Sequence, residues 1–527
     1  MIKSLAEYLL FRAAFKRILI GILAIAIASV LSAFFADDAF AERKKYKKYQ
    51  KNQKAHHRVY KRSAKNIRKK NRKRIHKRQI RQARTKVVRA HPALAKARTE
   101  LQIGSRYYKV LAKFYAARGH KKVWYNQTEL NPNGKILLQR LRLAHQDGLN
   151  QADYNLPAEK ATKNRMLDDI KLSFSLIRYG EQVQAGRLSP SRIVAEHDLK
   201  PIHPDLAALL VKASTSKNPG ALLEQLPPPH RQYKLLKAKL ANLRAAKKSA
   251  EKHHTKLDVP MLKAVIKTTL AREDIIIANM ERWRWLPREL GEKHIWVNLP
   301  SYRLLVKEVG KITFSTKGII GKKDAPTPLI TSKIKNIILN PYWNIPASYV
   351  AKEILPKLQS NKSDYLQTQS IKILRRGGRI VDPTKVDWTK ITNPRTYRFR
   401  QSPGKQNALG KLKVLFPNSH SIYLHDTNEP ELFANSKLAL SLGCIRLANP
   451  IGFADAIASF DSHLQSQMPG TLLGPREHWL KYKATLPVHL VYFTARINAD
   501  GKLVTLPDIY RYDEKTTAIF RGDNQNS

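Results

Sequence analysis

The stretch HDTNEPELFANSKLALSLGCIRL, from His425 to Leu447, contains Cys444, the only cysteine of the 527-residue chain. A cysteine attacks as the thiolate, and its ordinary pKa of about 8.5 leaves little thiolate at neutral pH unless a base or a cation lies nearby. His425 ends the strand-like run SIYLH and is a candidate for that base. The stretch therefore suggests Cys444 as a nucleophile and His425 as its base.

The residues around Cys444 would complete a site for acyl transfer. Gly443 permits a tight turn, at which backbone N–H groups can point toward a developing oxyanion. Arg446 would lie on the same side of an extended strand as Cys444 and could hold a carboxylate. The alternative is that Cys444 is an inert, small hydrophobic residue and His425 an ordinary strand residue.

The hydrophobic pattern predicts an α+β multidomain chain. Residues 96–286 carry apolar residues at helical spacing, as in GKILLQRLRLAHQDGL, and predict a helical domain, in which Gly186 and Pro190 stop one of the helices. After Pro287 the period changes to two, which predicts a mainly β domain over residues 287–515, with a hairpin-like turn at EVGK. A helical and loop-rich insertion interrupts this domain at about 345–400, and residues 516–527 remain as a C-terminal tail.

The first residues predict export. Lys3 and Arg12 precede an apolar run from Ile18 to Phe35, and Ala39-Phe40-Ala41 has the small-x-small form of a signal-peptidase site. We therefore predict a signal peptide over residues 1–41 and a location in the periplasm or cell envelope. The alternative is an uncleaved signal anchor that would hold the protein at the membrane, since the apolar run is just long enough to span a bilayer.

Residues 42–95 form a strongly basic segment. Arg43 to Arg89 contains 23 Lys and Arg in 47 residues and no acidic residue, in a chain with a formal net charge of +57. Such a segment repels itself and cannot bury a core, so we expect a tail without a stable fold of its own. It either adheres to anionic polymers of the envelope or is a solvated linker. A nucleic-acid partner is not expected for an exported protein.

Two histidine pairs, His56-His57 and His253-His254, raise the question of metal binding. Neither pair lies in a recognisable metal-ligand spacing. We therefore predict no metal site.

The stretch from His425 to Leu447 resembles the active-site signature of the L,D-transpeptidases, the cysteine enzymes that cross-link bacterial peptidoglycan. That signature is a histidine, a spacer and then a Ser-x-Gly-Cys-x-Arg or Asn run. The resemblance continues in IIGKKDAPTPLITSKIKNIILNPYWNIP (319–346), YRFRQSPGKQNALGKLKVLFPN (397–418) and ANMERWRWLP (278–287). The helical region is similar to the N-terminal scaffold domain of the large, multidomain branch of that family, and the resemblance covers roughly residues 100–515.

The resemblance implies a role for each matched residue. Cys444 would be the nucleophile and His425 its base or ion-pair partner, while Gly443 would belong to the oxyanion turn. The 345–400 insertion would be a lid over the substrate groove. The matched positions that would contact the substrate are Ser441, Arg446, Tyr423 and Trp343.

Two features depart from the family pattern. Leu442 stands where many members have a second histidine. The segment before ANMERWRWLP is also too short for the small peptidoglycan-binding module that the branch usually carries.

The implied reaction is acyl transfer between peptidoglycan tetrapeptide stems, which serve as donor and acceptor, without a metal or an organic cofactor. Cys444 would form a thioester with the third stem residue, and the side-chain amine of another stem would resolve it into a 3→3 cross-link. Resolution by water or by another amine would instead give carboxypeptidase activity, cross-link cleavage or lipoprotein attachment. A different class of function is that of a non-catalytic, basic protein that binds wall polymer or nucleic acid.

Overall fold

The computed structural model describes residues 91–127, 129–160, 163–252, 259–360, 364–375, 377–471 and 474–522. The predicted signal segment (1–41), nearly all of the predicted basic tail (42–95) and both histidine pairs lie outside these residues. The described residues all fall within one compact unit, Ala90–Ser527.

Helices dominate the first part of the described chain. α4 ends where the sequence predicts a stop, because Gly186 takes a φ of 101° and a Cβ there would lie 2.7 Å from Oε1 of Glu281. The helices are α1 Pro92–Glu100, α2 Ser105–Ala117, α3 Pro132–Arg142, α4 Arg165–Ala185, α5 Leu206–Thr215, α6 Pro219–Glu224, α7 Arg231–Lys252 and α8 Val259–Arg284.

These helices contribute to two different cores. Helices α1 to α6 surround a buried cluster that includes Trp124 and Tyr115. Helices α7 and α8 instead place Tyr233 and Trp283 in the same cluster as Ile295 of the sheet. Burying a large apolar side chain contributes about 1.5–3 kcal/mol, so this packing ties the last two helices firmly to the β region.

The β region is built on a twelve-stranded sheet. Its order is β1-β5-β16-β2-β3-β4-β14-β12-β11-β6-β15, and β13 pairs with β4 beside this path. The strands of this sheet are β1 His197–Asp198, β2 Lys293–Asn298, β3 Arg303–Glu308, β4 Lys311–Gly321, β5 Leu329–Lys333, β6 Asn336–Leu339, β11 Leu412–Leu415, β12 Leu424–His425, β13 Ala439–Ser441, β14 Ile445–Leu447, β15 His478–Lys481 and β16 Pro487–Val491.

Two connections in this sheet position the site. The short β1 comes from the helical part and pairs in parallel with β5, so the helical part adds an edge strand to the sheet. β3 and β4 form a hairpin in which Glu308 lies opposite Lys311. Its turn residues Val309 and Gly310 both have positive φ, as two-residue hairpins require, and the sequence predicts this turn from EVGK.

The insertion forms a small subdomain with its own core. Its four strands have the order β7-β10-β8-β9, and its buried cluster includes Ile345, Ile354 and Phe399. The elements are β7 Trp343–Asn344, α9 Ala347–Tyr349, a π-helical turn Val350–Ile354, α10 Leu355–Gln359, α11 Tyr365–Thr368, β8 Ile371–Leu374, β9 Ile380–Val381 and β10 Arg398–Gln401.

The remaining elements close the β region. Residues 516–521 of the predicted C-terminal tail lie in the last helix. Asp513 of that helix forms an ion pair with Arg282 of α8. These elements are α12 Pro450–Ala458, α13 Ser462–Thr471, the pair β17 Ala495–Ile497 and β18 Leu503–Thr505, and α14 Tyr512–Arg521. Among the described helices, none combines the length and the apolar character that a membrane span needs.

Candidate active site

Cys444 lies in the turn between β13 and β14. The preceding Gly443 has a φ of 120°, a conformation that residues with a side chain rarely adopt. The hydroxyl of Ser441 closes the turn: it accepts a hydrogen bond from the Gly443 amide at 3.1 Å and donates one to the Cys444 carbonyl at 2.6 Å. Because the Gly443 amide is used inside the turn, Gly443 contributes the shape of the turn rather than a free donor for an oxyanion.

The register of two neighbouring strands gathers four of the predicted side chains. β12 and β14 run in parallel, with His425 beside Arg446. Tyr423 and Cys444 each lie two residues earlier, and side chains two residues apart on a strand share a face. Tyr423, His425, Cys444 and Arg446 therefore lie on one face of the sheet.

His425 is almost fully buried, with 5% of its surface exposed. Its Nδ1 lies 2.5 Å from the carbonyl oxygen of Asp426, which can only accept, so Nδ1 carries the proton and Nε2 keeps its lone pair. Burial and the positive charge of Arg446 lower the pKa of His425 to about 3. The imidazole is therefore neutral around pH 7 and is able to accept a proton at Nε2.

The Cys444 thiol lies against the loop that precedes β12. It is half-buried, and its Sγ lies 3.9 Å from the carbonyl oxygen of Ser421. Burial raises the pKa of the thiol, while the amide of Tyr423, the ammonium of Lys413 and the hydroxyl of Tyr423 act in the opposite direction. The resting thiol is thus protonated, and groups that would stabilise a thiolate already surround it.

Lys413 adds a cation to this face. It lies directly opposite His425 in the antiparallel pair of β11 and β12. Its Nζ lies 4.0 Å from the centroid of the Tyr423 ring. Burial lowers the pKa of Lys413, and the neighbouring Cys444 works against that shift. A cation in this place favours the thiolate over the thiol.

The loop that carries Ser421 is anchored to the helical part of the chain. Asp198 in β1 accepts hydrogen bonds from the amide and the hydroxyl of Ser419, at 2.7 and 2.6 Å. Within the loop, the side chain of Asn418 accepts from the Ile422 amide at 2.9 Å and donates to the Ile422 carbonyl at 2.8 Å. The carbonyl that contacts the thiol is therefore positioned in part by the helical region.

A fully buried threonine supports the Cys444 turn from the other side. The Thr327 hydroxyl donates to the Gly443 carbonyl at 2.7 Å and accepts from the Gly321 amide at 2.9 Å. The Tyr510 hydroxyl donates to the Gly321 carbonyl at 2.5 Å and accepts from the Thr327 amide at 3.3 Å. The conformation of Gly443 thus depends on residues far from it in the sequence.

Replacing Thr327 by valine should distort this turn. Thr327→Val keeps the shape of the side chain but leaves the Gly443 carbonyl and the Gly321 amide without their partner, at a cost of about 1–3 kcal/mol for each buried group. We expect a lower melting temperature and slower alkylation of Cys444. Thr327→Ser retains the hydroxyl and should recover most of both properties; equal behaviour of the two variants would show that the hydrogen bonds do not shape the turn.

Arg446 is already paired in this structure. Its Nη1 donates to Oε2 of Glu429 and lies 3.4 Å from Oγ1 of Thr427. The Arg446 side chain is 23% exposed and that of Glu429 is 47% exposed, so solvent reaches the ion pair. The residue predicted to hold a carboxylate therefore holds a carboxylate of its own chain.

The inserted subdomain borders the site at two points. Burial raises the pKa of Tyr423, and the neighbouring Trp343 side chain acts weakly in the opposite direction. The Trp343 ring lies 5.2 Å from that of Tyr349. Burial and nearby groups, which include the Glu429 carboxylate, raise the pKa of Tyr349. A rearrangement of the insertion would therefore change the surroundings of both Tyr423 and the Arg446–Glu429 ion pair.

The structure brings the predicted residues of the site together, but it also shows partners that the sequence analysis did not identify. Lys413 alternates with apolar residues in KLKVLF, a pattern shared by many surface lysines, so it carried no separate signal. Asp198 and Thr327 are far from Cys444 in the sequence, and only the fold brings them close to the site. Glu429 lies within the quoted stretch HDTNE and could have been considered as a partner of Arg446.

Across the described parts of 91–522, no three His, Cys, Asp or Glu side chains cluster in a way that could hold a metal ion. The only free cysteine among these residues is Cys444.

Comparison with known proteins gives two domain matches. Residues 109–240 match a scaffold domain, and residues 292–471 match an L,D-transpeptidase catalytic domain. A curated protein of Haemophilus influenzae described as "Putative L,D-transpeptidase" is 34% identical over 237 residues, which are 45% of this chain and 47% of that protein. The match thus spans about half the length of that curated relative.

Proposed function

We propose that this chain, which carries an L,D-transpeptidase catalytic domain behind a scaffold domain, forms 3→3 cross-links between peptidoglycan stem peptides through a thioester on Cys444. The observation that supports the proposal is the face shared by β12 and β14, which carries a thiol, a neutral imidazole and a guanidinium. The family supports peptidoglycan stems as substrates and the cell envelope as the location.

The first half of the proposed reaction forms the acyl-enzyme. The proton of the Cys444 thiol passes to Nε2 of His425, and the sulfur attacks the carbonyl carbon of the third stem residue, a diamino acid. The carbon–nitrogen bond to the fourth residue then breaks. The imidazolium returns its proton to the nitrogen of the departing D-Ala, which leaves a thioester on Cys444 and a neutral imidazole.

The second half transfers the acyl group. The side-chain amine of a diamino acid in another stem attacks the thioester carbonyl and gives up a proton to His425. A new carbon–nitrogen bond forms as the carbon–sulfur bond breaks, and the thiol takes the proton back. Lys413 and the hydroxyl of Tyr423 stabilise the sulfur whenever it carries negative charge.

Incubation of the protein with a disaccharide-tetrapeptide, followed by mass analysis of the products, tests this function. A dimer that has lost one D-Ala supports the cross-linking reaction. A disaccharide-tripeptide monomer would instead indicate that water resolves the acyl-enzyme, as a carboxypeptidase requires. Absence of any D-Ala release would contradict both, and also lipoprotein attachment, which needs the same acyl-enzyme. Cross-link cleavage or a non-catalytic binding role would then be the better interpretation.

Lys413 gives a separate test of the proposed electrostatics. Lys413→Met removes a cation that favours the thiolate, so the second-order rate of Cys444 alkylation at pH 7 should fall roughly tenfold, corresponding to about 1.4 kcal/mol. Lys411→Met is the matched control, because it removes the same charge from the exposed residue just before β11. An equal fall in both variants would show a general effect of net charge rather than a specific role for Lys413.

We propose a binding role for the Arg43–Arg89 tail on the basis of its charge alone. Its 23 Lys and Arg could hold the enzyme on anionic envelope polymers in place of a dedicated binding module. Such binding would weaken as salt is added, because exposed charges are screened within about 8 Å at physiological ionic strength. Export through residues 1–41 is part of the same proposal.

A further inference from the structure

Glu429 pairs with Arg446 of the proposed site, and its side chain is not used in the reaction above. Its Oε2 accepts a hydrogen bond from Nη1 of Arg446, two residues beyond Cys444 and on the same face. Residues two apart on a strand are separated by about 6.6 Å, a distance that an arginine side chain spans easily. Arg446 can therefore bind an anionic group on a molecule that is reacting at the Cys444 thiol.

The geometry of the pair makes Glu429 replaceable. Among the described residues, Glu429 contacts only one of the guanidinium nitrogens, whereas a free carboxylate can bind two of them in parallel. The side chain of Glu429 is 47% exposed and gains water when it is released. An exposed pair with a single contact is weakly held, so a better-placed carboxylate can displace it.

The backbone of Glu429 is nevertheless fixed in place. Its amide donates to Oγ1 of Thr427 at 3.1 Å, and the same oxygen lies 3.4 Å from the Arg446 guanidinium. Tyr349 of the inserted subdomain is close to both members of the pair, because Glu429 raises its pKa and Arg446 lowers it. The internal carboxylate is thus held beside Arg446 at the border between the site and the insertion.

We propose that Glu429 competes with the donor peptide at this site: its carboxylate occupies Arg446 in the free protein and is displaced by the carboxylate of an incoming donor. This rests on the proposed function for the identity of that donor, a peptide that ends in a free carboxylate next to the bond that is broken. A neutral or amidated peptide has no carboxylate to place on Arg446, so its binding depends little on whether Glu429 is present. Glu429 is a positioning residue, because it acts through Arg446 and not on the reacting atoms.

Two small alkylating agents test the proposal without any peptide substrate. Iodoacetate and iodoacetamide both transfer a carbon to the Cys444 sulfur with loss of iodide, but only iodoacetate carries a carboxylate. We expect Glu429→Gln to raise the ratio of the iodoacetate rate to the iodoacetamide rate by about 3–10-fold, because Arg446 becomes available. In an Arg446→Gln background, Glu429→Gln should leave this ratio unchanged.

Glu431→Gln is the matched control. Glu431 is exposed and lies two residues further along the same loop, so its removal changes the local charge equally without freeing Arg446. An increase in the ratio that is as large in Glu431→Gln as in Glu429→Gln would overturn the proposal, since a general electrostatic effect would then explain it.

Peptide kinetics provide a second measurement. With the tetrapeptide donor, Glu429→Gln should lower KM more than it changes kcat, and its effect on the C-terminally amidated tetrapeptide should be smaller. Equal effects on both peptides would contradict the proposal. If no variant or wild-type protein releases D-Ala, the proposed function fails, while the alkylation ratio still decides the role of Glu429.

Discussion

Cys444→Ser is expected to lower the release of D-Ala from the tetrapeptide by at least about 10⁴-fold, the scale on which loss of a nucleophile acts in enzymes. A serine hydroxyl ionises far less readily than a thiol, and His425, whose pKa is about 3, is too weak a base to make up the difference. The fold should be retained, because a hydroxyl can still donate to the Ser421 carbonyl. The measurement is D-Ala release together with the melting temperature of both proteins.

A carbapenem provides a chemical check on the same residue. If the family's acyl-enzyme chemistry applies here, wild-type protein should gain the mass of one carbapenem molecule per chain, and Cys444→Ser should gain none. Turnover by the serine variant near the wild-type rate, or an adduct on another residue of the wild-type protein, would show that Cys444 is not the nucleophile.

His425→Ala is expected to slow acyl-enzyme formation by about 10²–10⁴-fold, the usual contribution of a positioned general base. Burial raises the pKa of the Cys444 thiol, so without a base the thiol stays protonated to higher pH. We therefore expect alkylation of Cys444 in the variant to become slower at pH 7 and to rise only in more alkaline solution. The measurement is the alkylation rate between pH 5 and 10.

His420→Gln is the matched control for His425→Ala, because it replaces a different histidine in the neighbouring loop. His420 lies in that loop, but its ring faces Glu196 and Asp198 of the helical part. Its replacement should leave the pH profile of alkylation near that of the wild type. A profile that is unchanged in His425→Ala would mean that the imidazole and the thiol are not coupled.

The sequence was sufficient to predict the parts of the fold that follow from local patterns. The change of hydrophobic period after Pro287, the stop at Gly186 and the turn at EVGK each depend on neighbouring residues, and the structure has a helix, strand or turn at each of these places. The α+β class and the family resemblance are confirmed by the two domain matches. The domain boundaries stay predictions, because α7 and α8 pack with the sheet core and no local pattern shows which core a helix joins.

The sequence predicts the main residues of the candidate site but not the residues that hold them in place. Tyr423, His425, Cys444 and Arg446 belong to short segments whose alternation already places them on one face, provided that the two strands are neighbours. Their partners do not follow from the sequence. Asp198 reaches the Ser421 loop from more than 200 residues away, and it does so only because β1 joins the edge of the sheet.

The pairing of Arg446 shows why charges are hard to assign from a sequence. The sequence predicts Arg446 as a free anchor for a substrate carboxylate, because a spacing of two residues says only which face a side chain shares. The structure places Glu429 on that guanidinium, in a loop where the Glu429 amide donates to Oγ1 of Thr427. The partner of a charged residue is a property of loop geometry, and loops are the least regular part of a fold.

The mass of the intact protein during reaction with a disaccharide-tetrapeptide tests the central claim most directly. Acid quenching should trap a species heavier than the protein by the mass of the substrate minus D-Ala, on a peptide that contains Cys444, and hydroxylamine should remove it as it cleaves thioesters. Formation of product without a covalent species, or a covalent species on any other residue, would contradict the proposal that Cys444 carries the acyl group.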